Sequence, residues 1–338
     1  MFYIKRCSTT YTSLVVKFSS NTGTCQVLLF GYNRPDLLKD RLEELLRIKP
    51  LDLFVSIDWH SSEQMKIFEK MLNEYADIWP SNLQFRFKLH NSNQGLAVHL
   101  TETITKSLKY VEAVIVIEDD VSISADFIKH ATDQLLNECF LDKFSSIGGY
   151  SIIRLPKVFE GINFFRNSIY FQCWGWGTRK EIWNMYTLDM RNVDYESNLA
   201  KSKSWSNLSQ KQRNTWLGRF DKIQRNPFHT WDIQFQYLTF ILDKKQLLPI
   251  GRLSENLGFG DRRSEHTKNK RPWWLGKSQH NSMQISRRLD WRLINYSFEK
   301  IESLSLIGDS QGALSVIRTL IKLVNAPKRI TRIFSQLK

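Results

Sequence analysis

In the first third of the chain, apolar residues come in short unbroken runs, and between those runs they recur every three or four positions. Residues 25–30 (CQVLLF) and 51–57 (LDLFVSI) read as buried strands, and 113–117 (AVIVI) as a strand covered on both faces. Residues 83–89 (LQFRFKL) alternate as a fourth strand. A helix runs from Asp36, with Leu37, Leu38, Leu42, Leu45 and Leu46 on one face, and further helices cover 62–78 and 96–110. This β-α-β-α-β-α-β order predicts an α/β protein with a mostly parallel sheet flanked by helices. After Phe127 the pattern is less regular. It gives a helix over 125–138, a strand and turn at 146–149, and a loop-rich, aromatic stretch over 150–275. Near the end, Ala313, Val316, Ile317, Leu320, Ile321 and Val324 mark an amphipathic helix that Pro327 stops.

Three strand ends carry polar residues: Asn33 and Arg34, then Asp58, then Glu118, Asp119 and Asp120. In an open α/β sheet, ligands sit at the carboxyl ends of the parallel strands. Three adjacent carboxylates resist ionising together unless a cation or solvent separates them. The simplest use is a hard divalent cation shared with a substrate phosphate, and Mg2+ and Mn2+ both suit oxygen ligands. The plain alternative is a solvated strand end that caps the helix near 125.

Length and composition narrow this only modestly. The 338 residues suffice for one large domain or two small ones, and 42% hydrophobic with 24% charged residues is ordinary for a globular protein. Aromatics reach 13%, with 11 Trp, a composition that serves flat ligands such as sugar rings and bases as well as a core. Cys7, Cys25, Cys139 and Cys173 lack metal-site spacing and predict neither a zinc site nor a disulfide framework, which fits a reducing cytosol. The first residues lack a secretory apolar core and no stretch of 18 apolar residues occurs, so the expectation is a cytoplasmic protein. The net charge of +14 favours anionic partners without choosing among them. Residues 200–226 hold seven Lys/Arg against one Asp, reading either as a lid or docking surface or as a solvated helical hairpin. Residues 310–338 hold six Lys/Arg and no acid, and this tail is expected to touch an anionic membrane surface.

The sequence of features is strand, Gly31-Tyr-Asn-Arg-Pro35; strand, Asp58; loop, Asn93-Gln-Gly95; strand, Glu118-Asp-Asp120. It resembles the nucleotide-sugar half of a GT-A glycosyltransferase of the family 2 group. The Glu-Asp-Asp form also resembles the DxD motif of the N-acetylglucosaminyltransferase I type. Over 145–267 the likeness is weaker, carried by Phe171-Gln-Cys-Trp-Gly-Trp-Gly-Thr178 and by Asn256-Leu-Gly-Phe-Gly260 with His266-Thr267. The resemblance implies a GT-A fold over 25–275, with a donor half (25–125) and an acceptor half (126–275). A loose arm (1–24) precedes it and a basic helical extension (276–338) follows. It also implies roles. Tyr32, Asn33 and Arg34 would meet the base or diphosphate, although Asn and Pro also suit a plain turn. Asp58 would accept from the base, or else cap a helix. Asn93 and Gly95 would line the donor, although Gly95 can serve only for a positive φ. Asp120 would bind the metal, with Glu118 beside the donor and Asp119 either supporting the metal ligand or binding the donor ribose or sugar, Asp119 and Asp120 pointing to opposite sides as on a strand. His266 would complete the metal sphere or remain structural. Trp174 and Trp176 would form an acceptor platform, or else pack in the core.

Inversion requires a base for the acceptor hydroxyl. Asp232 opens an apolar helical stretch, where the helix dipole favours its ionised form; its other reading is an ordinary cap. The expected partners are a nucleotide-sugar donor and a glycan or lipid-linked acceptor. Other classes fit less well. A sugar-phosphate nucleotidyltransferase usually carries a Gly-rich, basic first loop, and Gly31–Pro35 has a single Gly. A basic nucleic-acid binder lacks any recognition pattern here, and an acidic cluster repels phosphate; no nucleic-acid partner is expected.

Overall fold

A computed structural model of the chain describes residues 24–152, 165–264, 299–304 and 315–316. The first strand, β1 (Cys25–Gly31), is buried along nearly its whole length, as its unbroken apolar run requires. It lies parallel between β2 (Asp52–Ile57) and β4 (Ala113–Glu118), and β3 (Gln84–Leu89) adds in parallel beyond β2. The full sheet has the order β3-β2-β1-β4-β8-β6-β9-β7, where β6 is Phe144–Gly148, β7 Phe165–Ser168, β8 Trp176–Arg179 and β9 Lys245–Pro249. β8 runs against both β4 and β6, β9 runs with β6, and β7 runs against β9. Six of the eight strands therefore point one way, and the α/β, mostly parallel architecture read from the pattern is the one observed. The short strands β5 (Val121–Ile123) and β10 (Ser254–Asn256) pair antiparallel just past the acidic cluster.

Strand alternation sends successive side chains to two cores. Val27, Leu29, Val55, Ile115 and Ile117 pack under α1 (Pro35–Ile48), α2 (Ser62–Ile78) and α4 (Ala125–Leu135). Leu28, Phe30, Val114 and Val116 pack under α3 (Leu96–Ser107) and the helix Asp232–Ile241. α1 starts where Pro35 fits the first turn and stops at Lys49, whose left-handed φ of 59° turns the chain back. The Ser61 hydroxyl caps α2 by accepting from Gln64 N–H.

The second half differs from its expectation. Among the described residues it is not mainly loop: helices pack Trp205, Trp216 and Phe220 on Tyr237 and Phe240 in a third cluster. The basic stretch 200–226 lies largely in the helix Gln210–Arg225, started by a Ser209–Gln212 capping box, which matches the hairpin reading more than a lid. Cys139 is disulfide-bonded, where scattered spacing predicted no bridge; sequence spacing does not report distance in space. No helix among the described residues is long and apolar enough to cross a membrane. The basic tail beyond 316 lies outside the described residues.

Candidate active site

Because β1, β2 and β4 run parallel, their carboxyl ends open on one side, and a cleft of about 430 Å³ forms there. Its walls bring together Tyr32, Asn33, Arg34, Asp58, Asn93, Gly95, Glu118, Asp119, Asp120, Trp174 and Asp232. These residues come from positions 32 to 232, and the topology alone makes them neighbours.

Arg34 sits directly before α1 and turns its guanidinium onto the acids. Nη1 donates to Asp120 Oδ2 at 2.9 Å, and Nη2 donates to Asp119 Oδ1. The expectation that Asp119 and Asp120 point apart is therefore corrected. Strand geometry ends at Glu118, and the next two residues form a turn in which both carboxylates meet one guanidinium. The turn is held from behind, where Leu257 N–H donates to Asp120 O at 2.7 Å. Asp119 Oδ2 is buried and has no hydrogen-bond partner among the described residues. Burial, then the neighbouring carboxylates of Asp120 and Asp119, pushes the Glu118 carboxyl up. Burial likewise pushes Asp119 up against the pull of Arg34, so one guanidinium does not balance three acids.

One wall is tied by Asp58, which is 3% exposed. Its carboxylate accepts from Trp59 N–H at 2.9 Å, from Gln94 N–H at 2.9 Å and from Gly95 N–H at 3.0 Å. Asp58 thus shapes the 93–95 loop with much of its acceptor capacity. Gly95 has φ +74°, the left-handed value that favours glycine. Asn93 Nδ2 donates to the Tyr32 hydroxyl at 3.0 Å, and the His60 ring lies edge-on to Tyr32 at 5.1 Å. Under this wall lies His99, which pattern reading did not single out. Its Nε2 is 2.7 Å from Ser56 Oγ, and burial pushes its pKa down to about 3. Helical periodicity treats such a residue as one more buried position, so only its place in the cleft reveals it.

On the opposite wall, Asp232 occupies the first turn of its helix and accepts from the Thr230 hydroxyl. Cys173 lines the same wall, and burial with the nearby carboxylates of Asp232 and Glu118 holds its thiol well above the usual range. The tryptophan pair is split. Trp174 lines the cleft and meets Phe259 edge-to-face at 5.5 Å. Trp176 is fully buried and stacks on Trp231 at 5.1 Å, so it belongs to the core and not to a platform. Gly175, at φ +73°, turns the chain between them and breaks the alternation that would have aimed both one way. Arg263 and Phe259 also line the cleft, from a loop with no periodicity to mark them. His266 lies outside the described residues.

Among the described residues, no three His, Cys, Asp or Glu side chains form a cluster able to hold a metal alone. The orphaned Asp119 Oδ2 and the crowded carboxyls nevertheless fit a divalent cation that takes its other oxygens from a ligand.

No protein-family profile matches the sequence, and no curated protein matches it. Among solved structures, a mannosyltransferase from Pyrobaculum calidifontis in complex with GDP-Man and Mn2+ is 12% identical, over 66% of this chain and 70% of its own, with a TM-score of 0.40. A 4-diphosphocytidyl-2C-methyl-D-erythritol synthase from Anaerococcus prevotii is 12% identical over 59% of this chain and 83% of its own, with a TM-score of 0.30. HddC from Yersinia pseudotuberculosis, complexed with GMP-PN, is 12% identical over 48% of this chain and 79% of its own, with a TM-score of 0.29. Likeness at this level carries no functional argument.

Proposed function

We propose that the chain is a metal-dependent glycosyltransferase of the GT-A type, moving a sugar from a nucleotide-sugar donor to a glycan or lipid-linked acceptor with inversion. One observation carries the reading: the Glu118-Asp119-Asp120 cluster, with Arg34 bridging Asp119 and Asp120, faces Asp232 across a single cleft at the strand ends. A cleft of this volume suits a nucleotide sugar.

In this reading Tyr32, Asn33, Asn93 and Gly95 hold the nucleoside end, on a loop that Asp58 orders. Arg34 is free to exchange a carboxylate for a phosphate, since its fork binds either pair of oxygens. Asp120, with Asp119 beside it and His266 as a further ligand, would hold Mn2+ or Mg2+, which when bound supplies positive charge to the leaving diphosphate. Glu118 lies next to the transferred sugar. Asp232 takes the acceptor hydroxyl proton as that oxygen attacks the anomeric carbon and the bond to the diphosphate breaks. Asp232 stands in the first turn of its helix, on the wall opposite the acidic cluster. Trp174 offers a ring face to the acceptor.

The test is donor turnover with and without Mn2+ across UDP-, GDP- and dTDP-sugars, each with free sugar and with simple glycan acceptors. Metal-dependent sugar release or transfer from at least one donor is the expected result. Nucleotide transfer onto a sugar phosphate instead would replace this reading with a nucleotidyltransferase.

A further inference from the structure

The 257–264 loop crosses the cleft from one wall to the other. At its start, Leu257 N–H is held by Asp120 O at 2.7 Å, and Phe259 meets Trp174. At its end, Arg263 donates from Nη1 to Asp36 Oδ1 at 2.7 Å and from Nη2 to Asp36 Oδ2 at 2.9 Å. Asp261 accepts from the same guanidinium, with Nε at 3.1 Å and Nη2 at 2.8 Å. Arg263 O accepts from Asn33 Nδ2 at 3.5 Å. Asp36 stands two residues beyond Arg34, in the first turn of α1. One side chain therefore fastens the loop bearing Phe259 to the loop bearing Asn33 and Arg34, across 227 positions of sequence.

We propose that Arg263 is a positioning residue: its two-pronged pair with Asp36 keeps the 257–264 loop spanning the cleft and sets where Asn33 and Phe259 meet the donor. Three features favour this over incidental surface pairing. The pair is bidentate, which fixes orientation as well as distance. Arg263 itself lines the cleft. Its backbone engages the loop at Asn33 while its side chain engages the first turn of α1 that follows that loop. The side chains are 43% and 59% exposed, so the pair adds little to global stability and its effect is local. The pair also persists through the neutral range. Asp36 and Asp261 are both held below the usual carboxylate value, chiefly by their hydrogen bonds to Arg263.

The kinetic half of the test rests on the nucleotide-sugar reading; the exchange half does not. Hydrogen exchange is measured at 257–264 in the full chain for the wild type, Arg263→Ala, Arg263→Lys and Asp36→Asn, alongside thermal melting. Arg263→Ala and Asp36→Asn are expected to speed exchange at Leu257 and Ser264 by about tenfold with nearly unchanged melting, and Arg263→Lys, which keeps charge but loses the fork, to fall between. With a donor that is turned over, Arg263→Ala should raise its KM about tenfold with kcat within about twofold, and Arg263→Lys should recover part of that loss. Unchanged exchange in both Arg263→Ala and Asp36→Asn overturns the clamp. Faster exchange with an unmoved donor KM overturns the positioning role. If no nucleotide sugar is turned over, the functional reading fails, and the exchange arm still decides the clamp.

Discussion

At the scale of single residues, Asp120 and Asp232 stand on opposite walls of one cleft, so replacing each should leave a different signature. Asp120→Ala should abolish metal-dependent turnover while the circular dichroism melt stays close to wild type; near-normal turnover would contradict the metal assignment. Asp232→Asn should lower kcat by roughly 10² to 10⁴, the usual contribution of a general base, with donor affinity retained. Loss of donor affinity instead would move Asp232 to the donor side. His99 gives a pH prediction. Its folded pKa is pushed down to about 3 by burial, against about 6.5 in an unfolded chain. Below pH 6.5 the unfolded state takes up a proton that the folded state refuses, so stability should fall as pH drops from 6.5 towards 3. Urea midpoints at pH 8, 6 and 5 should show a flatter acid limb for His99→Gln than for the wild type; parallel curves would contradict this. The strand-end acids were legible in sequence because charge follows an apolar run so abruptly. Trp176 was not, because Gly175 resets the side-chain direction and no period records a single left-handed residue.

Elements were legible in proportion to their length. The strands 25–30, 51–57 and 113–117 and the helices from 36 and 62 appear close to their predicted places, since each carries a full hydrophobic period. β5 and β10, at three residues each, are too short to show any period, and only their pairing reveals them. The Ser254–Asn256 strand returns beside the acidic turn because β10 pairs with β5, a long-range fact that no local window contains. Gly177 in β8 marks the seam where the parallel half meets the second half. A Cβ there would meet Val114 O at 2.8 Å and Leu135 Cδ1 at 2.8 Å. Since the contact is to backbone, Gly177→Ala should destabilise by about 1–3 kcal/mol, as overpacking commonly does, measured by urea unfolding. An unchanged midpoint would mean that β4 and β8 are less closely joined than they stand here.

For the whole molecule, the parallel direction of six strands explains why residues from three early strand ends and one late helix share a cleft. The late segment 299–304 adds a second long-range tie. Glu302 accepts from Arg166 Nη1 at 2.9 Å and from the Ser168 hydroxyl at 2.7 Å, with both charged side chains fully buried. Glu302→Ala should cost about 3–5 kcal/mol, the usual penalty for breaking a buried pair. A loss below about 1 kcal/mol would show that water reaches Arg166 once the partner is gone. Sequence foresaw none of this tie, because nothing in a lone Glu tells that it will be buried. Whether the cleft grips a nucleotide sugar with a divalent cation at Asp120 is decided by thermal melting of wild type and Asp120→Ala with UDP-, GDP- and dTDP-sugars, each with and without Mn2+. The wild type should be stabilised by at least one donor only when Mn2+ is present, by about 2.7 kcal/mol at a hundredfold excess over Kd, and Asp120→Ala should lose that gain. No stabilisation by any donor with Mn2+, or equal stabilisation of the variant, would contradict it.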